Sequence, residues 1–159
     1  MNTGEKKFVP VMITPFNHKV NVDLDNLSRL IDFYLASGVK GLFANCLSSE
    51  MFSISEDEML ELAKHIVDYV NGAVPVVATG SFGLTIEDKA EFSRKIYDTG
   101  INAVIMITGH FANVEDNDEV LLRNFEKCSG LQAIFHWDYM SARLLIKESS
   151  PLMYLKLFY

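Results

Sequence analysis

Apolar residues fall along this chain in two patterns, short continuous runs and longer segments with helical spacing. The continuous runs predict buried strands at residues 8–14, 41–44, 74–79 and 103–108. Helices are predicted after Asp23, Ser55 and Thr85, whose side chains can cap the first free backbone amides, and at about residues 116–127. Four apolar strands that alternate with helices indicate an α/β fold with a parallel sheet covered on both faces.

The pattern leaves two α/β architectures open. The helix end and strand at residues 38–43 recur in kind at residues 100–105, so the chain consists of βα repeats. Doubly wound sheets and (β/α)8 barrels both contain such repeats. A self-standing doubly wound domain that binds a ligand or regulates a partner would suit 159 residues. Against it, no glycine-rich phosphate loop follows the first strand, where Thr14, Pro15 and Phe16 stand.

Composition and charge limit which binding partners and which cellular compartment are expected. The chain has 159 residues, of which 49% are hydrophobic and 22% charged, and its net charge is −7. These values fit one acidic domain with a sizeable core and argue against nucleic acid or an anionic membrane as the main partner. Two cysteines without a CxxC spacing predict a reducing compartment and no metal site, and no cofactor is indicated. The polar N-terminus has no apolar signal core and no run has transmembrane length, so the cytoplasm is the expected location.

Residues that could bind a substrate stand in the loops that follow two of the strands. Ser48 and Ser49 come after the second strand, and a capping box at Ser55 and Glu58 starts the next helix. His110 stands at the same end of the fourth strand. Because ligands of α/β folds bind at these strand ends, we expect Ser48, Ser49 and His110 to bind the substrate. Two other interpretations remain open, in which the serines only form a turn and His110 is an ordinary loop residue.

Five segments of the chain are similar, in order, to those of one known family. They are residues 10–16, 38–43, 46–50, 74–78 and 103–108. Over residues 8–127 the chain resembles the dihydrodipicolinate synthase/N-acetylneuraminate lyase family of class I aldolases. The resemblance implies an incomplete (β/α)8 TIM barrel of about four to five βα units, since a whole barrel needs about 250 residues. It also implies a lyase or aldolase that binds pyruvate or a related 2-oxo acid through a lysine Schiff base and forms a homo-oligomer at full length.

The resemblance also implies roles for the loop residues. Ser48 would help to hold the carboxylate of a pyruvate-type substrate. The hydroxyl residue that precedes it in the family belongs to a proton relay, but Leu47 stands there and cannot transfer a proton. His110 and Phe111 replace an aromatic pair that contains a tyrosine. These departures favour a divergent aldolase or lyase over the synthase reaction itself, and the catalytic residues stay unassigned.

Residues 128–159 form a tail of different character. The Schiff-base lysine and catalytic tyrosine that the resemblance implies are not plainly present in it. Back-translation of residues 134–147 in another frame permits a string that resembles the family's fifth-strand motif. Our hypothesis is a frameshift near Lys127 or Cys128, so that residues 1–127 are the N-terminal half of a barrel and the tail is out of frame. A chain truncated in this way would be inactive and poorly stable, which makes a catalytically dead fragment the third interpretation.

Overall fold

The computed structural model describes residues 7–113, 115–130 and 137–140. The helices are α1 (Leu24–Ala36), α2 (Glu56–Val70), α3 (Ile86–Asp98) and α4 (Asp118–Gly130). The strands are β1 (Leu42–Ala44), β2 (Val76–Thr79), β3 (Ala103–Ile107) and β4 (Trp137–Met140). Single 3-10 turns span Leu47–Ser49, Met51–Ser53 and Thr108–His110. Of the described residues, 7–78 and 99–102 form one compact unit, and the others form a second.

The first predicted strand is reduced to one bridge in the first unit. Val11 makes an isolated parallel bridge to Phe43. Met12 N donates to Phe43 O at 2.8 Å, and Phe43 N donates to Pro10 O at 3.0 Å. The segment therefore runs beside β1, but Pro10 and Pro15 lack the amide hydrogens that a longer ladder needs.

The caps predicted for α1 and α2 are confirmed. Asp23 accepts a hydrogen bond from Asn26 N at 3.0 Å, and Ser55 and Glu58 form a capping box. Because backbone N–H groups stabilise their charged forms, the carboxyls of Asp23 and Glu58 have pKa values below the ordinary range. After α1 the chain turns through Gly38 at φ 77°, a left-handed conformation that glycine adopts without steric cost.

The core of the first unit lies among its helices and the two strands. β1 pairs with β2 in parallel, with Leu42 opposite Val76, and α1 contacts α2. Asn102 returns to this unit after α3. Its backbone N donates to Val76 O at 2.7 Å, and its side-chain oxygen accepts from Val76 N at 2.8 Å. The fully buried apolar side chains include Leu27, Ile31, Leu42 and Ile66.

In the second unit, a small residue lets helix and sheet approach closely. β3 pairs with β4 in parallel, with Val104 opposite Trp137, and α3 contacts β3. Gly80 is buried where α3 and β3 meet, and its N donates to Ile105 O at 3.0 Å. A Cβ at position 80 would collide with Val104 and lie 2.9 Å from Ile96 Cγ2. Only glycine therefore fits this position without displacing its neighbours.

α3 and α4 contact each other, and an ion pair links them. The predicted cap of α3 is confirmed, because Thr85 N donates to Asp88 and Asp88 N donates to Thr85 Oγ1 at 3.0 Å. Lys127 of α4 pairs with Glu87 of α3 at 2.6 Å, and this bond lowers the pKa of the Glu87 carboxyl. Burial raises the pKa of the Cys128 thiol to about 11. α4 runs to Gly130, three residues beyond its predicted end at residue 127.

Candidate functional site

The turn after β1 is anchored by Ser49. Its hydroxyl donates to Met12 O at 2.5 Å and accepts from Cys46 N at 3.2 Å. Thr14 Oγ1 donates to the Ser49 carbonyl at 2.8 Å. Ser49 is only 1% exposed, so its polar groups are spent on the protein itself. These bonds fix the turn against the first segment of the chain, and the predicted role of Ser49 in substrate binding stays a prediction.

Ser48 occupies the opposite environment in the same turn. Its side chain is exposed, as is that of Leu47. Among the hydrogen bonds of the described residues, the amides of Leu47 and Ser48 donate to no protein acceptor, because the turn uses the amides of Ser49 and Glu50 instead. The turn therefore has an exposed serine side chain and, within the described part of the chain, two backbone N–H groups without an acceptor.

Asn45, between β1 and this turn, was missed by the sequence analysis. It is fully buried, adopts a left-handed conformation at φ 50°, and donates through Nδ2 to Met59 O at 3.0 Å. Its Oδ1 has no hydrogen-bond partner among the described residues. Asparagine tolerates left-handed backbone better than most residues, which is the signal that could have marked it. Its amide links the loop after β1 to α2.

His110 is held by Ser81 in the second unit. His110 Nδ1 lies 2.6 Å from the Ser81 carbonyl oxygen and 3.2 Å from Ser81 Oγ. Ser81 Oγ also accepts from Ile107 N at 3.0 Å. Ser81 is fully buried and His110 half-buried. Sequence analysis missed Ser81, since a serine after a short strand carries no local mark of a partner 29 positions away.

The three predicted site residues thus fall into two places. Ser48 and Ser49 share one turn in the first unit, with only one of the two hydroxyls exposed. His110 ends the turn after β3 in the second unit. The structure confirms that all three follow strands at their C-terminal ends, while their binding of a substrate stays a prediction.

The described residues contain neither a cluster of metal ligands nor a membrane-spanning helix. No group of three or more His, Cys, Asp and Glu side chains in that part of the chain could hold a metal ion. None of its helices is both long enough and apolar enough to cross a membrane.

The order of βα units and the turn after β1 can be compared with known proteins. The sequence model of the Dihydrodipicolinate synthetase family matches residues 5–121, which is well over half of the chain. This chain belongs to that family. The family predicted from the five matching segments is therefore confirmed.

Comparison with individual members of the dihydrodipicolinate synthetase family shows how much of this chain, and how much of each relative, is matched. The 4-hydroxy-tetrahydrodipicolinate synthase of Bacillus subtilis is 36% identical over 100 residues, which are 63% of this chain and 34% of that enzyme. A crystal structure of a dihydrodipicolinate synthase, 31% identical, has a TM-score of 0.71 and is matched by 85% of this chain over 44% of its own length. A prophage protein of the dihydrodipicolinic acid synthase family from E. coli K12, solved in complex with pyruvate, is 22% identical with a TM-score of 0.72, over 84% of this chain and 43% of that chain. At this lower identity the likeness concerns the fold alone.

These likenesses confirm the predicted fold class. The chain has the fold of part of a (β/α)8 barrel, with about four to five βα units, and it spans less than half of the length of these relatives. The alternative of a self-standing doubly wound domain is not favoured. The boundary at residue 127 and the frameshift stay predictions, and residues 131–136 and 141–159 lie outside the described part of the chain.

Proposed function

We propose that this chain is part of a class I aldolase-type enzyme, a carbon–carbon lyase or synthase whose substrate is pyruvate or a related 2-oxo acid. Family membership supports the proposal, as does the pyruvate bound to the E. coli K12 protein of similar fold. The observation that carries it is the turn after β1. There the Ser48 hydroxyl is exposed, and two backbone amides have no acceptor among the described residues.

A 2-oxo acid brings a carboxylate, which needs hydrogen-bond donors in place of water. The Ser48 hydroxyl and the amides of Leu47 and Ser48 supply such donors within one turn. Hydrogen bonds to a charged group are stronger than neutral ones, and donors that are already fixed lose little entropy on binding. Ser49 fixes them, because it ties the turn to Met12 and Cys46. Leu47 itself has no proton to transfer, so the proposed task of this turn is binding.

His110 is the proposed substrate-binding residue of the second unit. It is half-buried at the C-terminal end of β3, and one ring nitrogen is held by Ser81. A ring that is fixed and partly exposed can make a directed hydrogen bond to a ligand. The groups that would carry the chemical step are left unassigned.

The binding proposal can be tested by titrating the 15N-labelled chain with pyruvate, lactate and acetone. Pyruvate should shift the amide resonances of Leu47 and Ser48. Acetone lacks the carboxylate and should leave them in place, while lactate keeps the carboxylate and should shift them more weakly. Ser48→Ala should raise the Kd for pyruvate about tenfold or more, because a hydrogen bond to a charged group contributes roughly 1.5–3 kcal/mol.

Ser53→Ala is the matched control for this titration. Ser53 is an exposed serine in the next 3-10 turn, and its removal should leave the Kd unchanged. The proposal is wrong if Ser48→Ala binds pyruvate as well as the unaltered chain does, or if pyruvate shifts amides elsewhere and not those of Leu47 and Ser48.

We also propose a cytoplasmic location and a homo-oligomer for the full-length enzyme. Both cysteines, Cys46 and Cys128, are free and buried, which fits a reducing compartment. The oligomer follows from the family resemblance. Analytical ultracentrifugation of the full-length enzyme tests it, and a monomer at every concentration would contradict it.

A further inference from the structure

Ser81 and His110 form a polar pair at the strand ends of the second unit. Ser81 follows β2, and His110 ends the turn after β3. The short contact runs from His110 Nδ1 to the Ser81 carbonyl oxygen at 2.6 Å, with Ser81 Oγ at 3.2 Å. Since ligands of barrels bind at the C-terminal ends of the strands, the pair lies where a substrate group is expected.

The contact fixes the protonation pattern of the ring. A carbonyl oxygen can only accept a hydrogen bond, so the proton must be on Nδ1. A neutral imidazole carries one proton, and Nε2 therefore keeps its lone pair. We infer that Ser81 is a positioning residue that holds His110 in this tautomer, so that Nε2 accepts a hydrogen bond from a hydroxyl group of the bound 2-oxo acid. The identity of the ligand rests on the proposed function, whereas the tautomer does not.

Two further sets of contacts hold Ser81 and the ring in place. The Ser81 hydroxyl accepts from Ile107 N at 3.0 Å, which ties the residue to the end of β3. The ring of Phe82 meets that of His110 edge to face at 5.8 Å between centroids, and Phe82 in turn packs on Phe92 at 5.4 Å. The carbonyl acceptor and the plane of the imidazole are therefore both fixed, as directed hydrogen bonding requires.

A second observation points to a polar ligand at this end of the unit. Thr79 is the last residue of β2, two positions before Ser81, and is fully buried. Its Oγ1 has no hydrogen-bond partner among the described residues. Buried hydroxyl groups are nearly always paired in folded proteins, since leaving one unpaired costs free energy. A hydroxyl-bearing ligand at this end of the unit would supply a partner.

The tautomer can be read directly from long-range 1H–15N correlation spectra of the ligand-free chain, at a pH where the ring is neutral. The chain has four histidines, and His110→Gln identifies the signals of His110 by their loss. We expect a protonated Nδ1 and an unprotonated Nε2. Ser81→Ala removes the tie to Ile107 and should shift these signals toward a mixture of tautomers. Ser129→Ala, which removes a hydroxyl bonded within α4, should leave them unchanged.

The acceptor role is tested with two ligands that differ by one hydroxyl group, hydroxypyruvate and pyruvate. Hydroxypyruvate should shift the Nε2 resonance of His110 and bind about 3- to 10-fold more tightly than pyruvate, the range of one net hydrogen bond. Both effects should shrink in Ser81→Ala and persist in Ser129→Ala.

The outcomes separate this inference from the proposed function. A proton on Nε2 in the ligand-free chain overturns the inference, and so does equal binding of the two ligands with no change at Nε2. Failure of the proposed function shows elsewhere, as unshifted amides of Leu47 and Ser48. In that event the ligand-free tautomer spectra still decide whether Ser81 positions His110.

Discussion

At the scale of single residues, two adjacent serines of the turn after β1 differ in almost every physical respect. Ser48 is exposed, whereas Ser49 is buried and bonded to Met12, Cys46 and Thr14. The sequence gives both the same chemistry, and both were predicted to bind substrate. Burial separates them, since the Ser48 side chain is exposed and the Ser49 hydroxyl is bonded within the protein, while their binding of a substrate stays a prediction.

Ser49→Ala should destabilise the fold by about 1–3 kcal/mol, because it leaves buried polar groups of Met12 and Cys46 without their partner. Ser48→Ala should change the free energy of unfolding by no more than about 0.5 kcal/mol, as exposed substitutions usually do. Urea unfolding followed by circular dichroism measures both. Equal effects of the two substitutions would contradict the division of roles.

At the scale of elements, the second unit depends on how closely α3 approaches β3. Gly80 is the residue between them, and Ser93 of α3 donates to its carbonyl at 2.7 Å. A methyl group at position 80 would meet Val104 and Ile96, which are both buried. A close-packed interior has no space into which these side chains can move.

Gly80→Ala should therefore destabilise the chain by about 1–3 kcal/mol through overpacking. Gly109→Ala is the control, since a Cβ there would have no heavy atom within 4 Å and the residue has no positive φ. The control should be neutral within about 0.5 kcal/mol. Thermal unfolding of the two variants decides the matter, and a destabilised Gly109→Ala variant with an unaffected Gly80→Ala variant would refute the packing argument.

At the scale of the whole molecule, groups with shifted pKa values make the stability of the chain depend on pH. Asp23, Glu58 and Asp88 accept backbone hydrogen bonds at helix starts, and their carboxyls have lowered pKa values. Cys128 is buried, and its thiol has a pKa raised from 9.0 to about 11. The carboxyls favour the fold when charged and the thiol favours it when neutral.

Stability should therefore decline at both ends of the pH scale. The carboxyl contribution is complete above the ordinary values of 3.8 and 4.5, and it is lost as the pH falls through the lowered ones. The thiol contribution is complete below pH 9.0 and is lost as the pH rises toward about 11. Urea midpoints measured across this range should drop on both sides.

Two sets of variants separate the two effects. The triple variant D23N, E58Q, D88N should flatten the acid decline, and Cys128→Ala should flatten the alkaline one. Glu61→Gln, which changes an exposed carboxylate of α2, should alter neither. An acid decline of unchanged depth in the triple variant would show that the helix caps are not its cause.

The same chain should form no covalent adduct when pyruvate is reduced onto it with borohydride. The family resemblance assigns none of its lysines to the imine, and Lys147 and Lys156 lie outside the described residues. Intact mass measured with and without pyruvate checks this expectation. A pyruvyl adduct would contradict it, and peptide mapping would then identify the lysine that was missed.

Features set by neighbouring residues were predicted well from the sequence. The caps at Asp23, Ser55 and Thr85 were all confirmed, and so was the order of helices and strands from α1 to α4, whereas β4 at Trp137–Met140 was not predicted. The first strand was overestimated, since Pro10 and Pro15 break its ladder. α4 was placed about two residues early at its start, because its cap at Asn117 was not recognised, and its end was placed three residues early.

The sequence alone determined the βα repeat, the helix caps and the family, because each depends on residues within a few positions or on whole matching segments. Only the tertiary structure decided which serine is buried and which residue holds His110. Thr14 reaches Ser49 across 35 positions and Ser81 reaches His110 across 29. Such contacts depend on where the fold brings distant segments together, and no local pattern of side chains encodes that position.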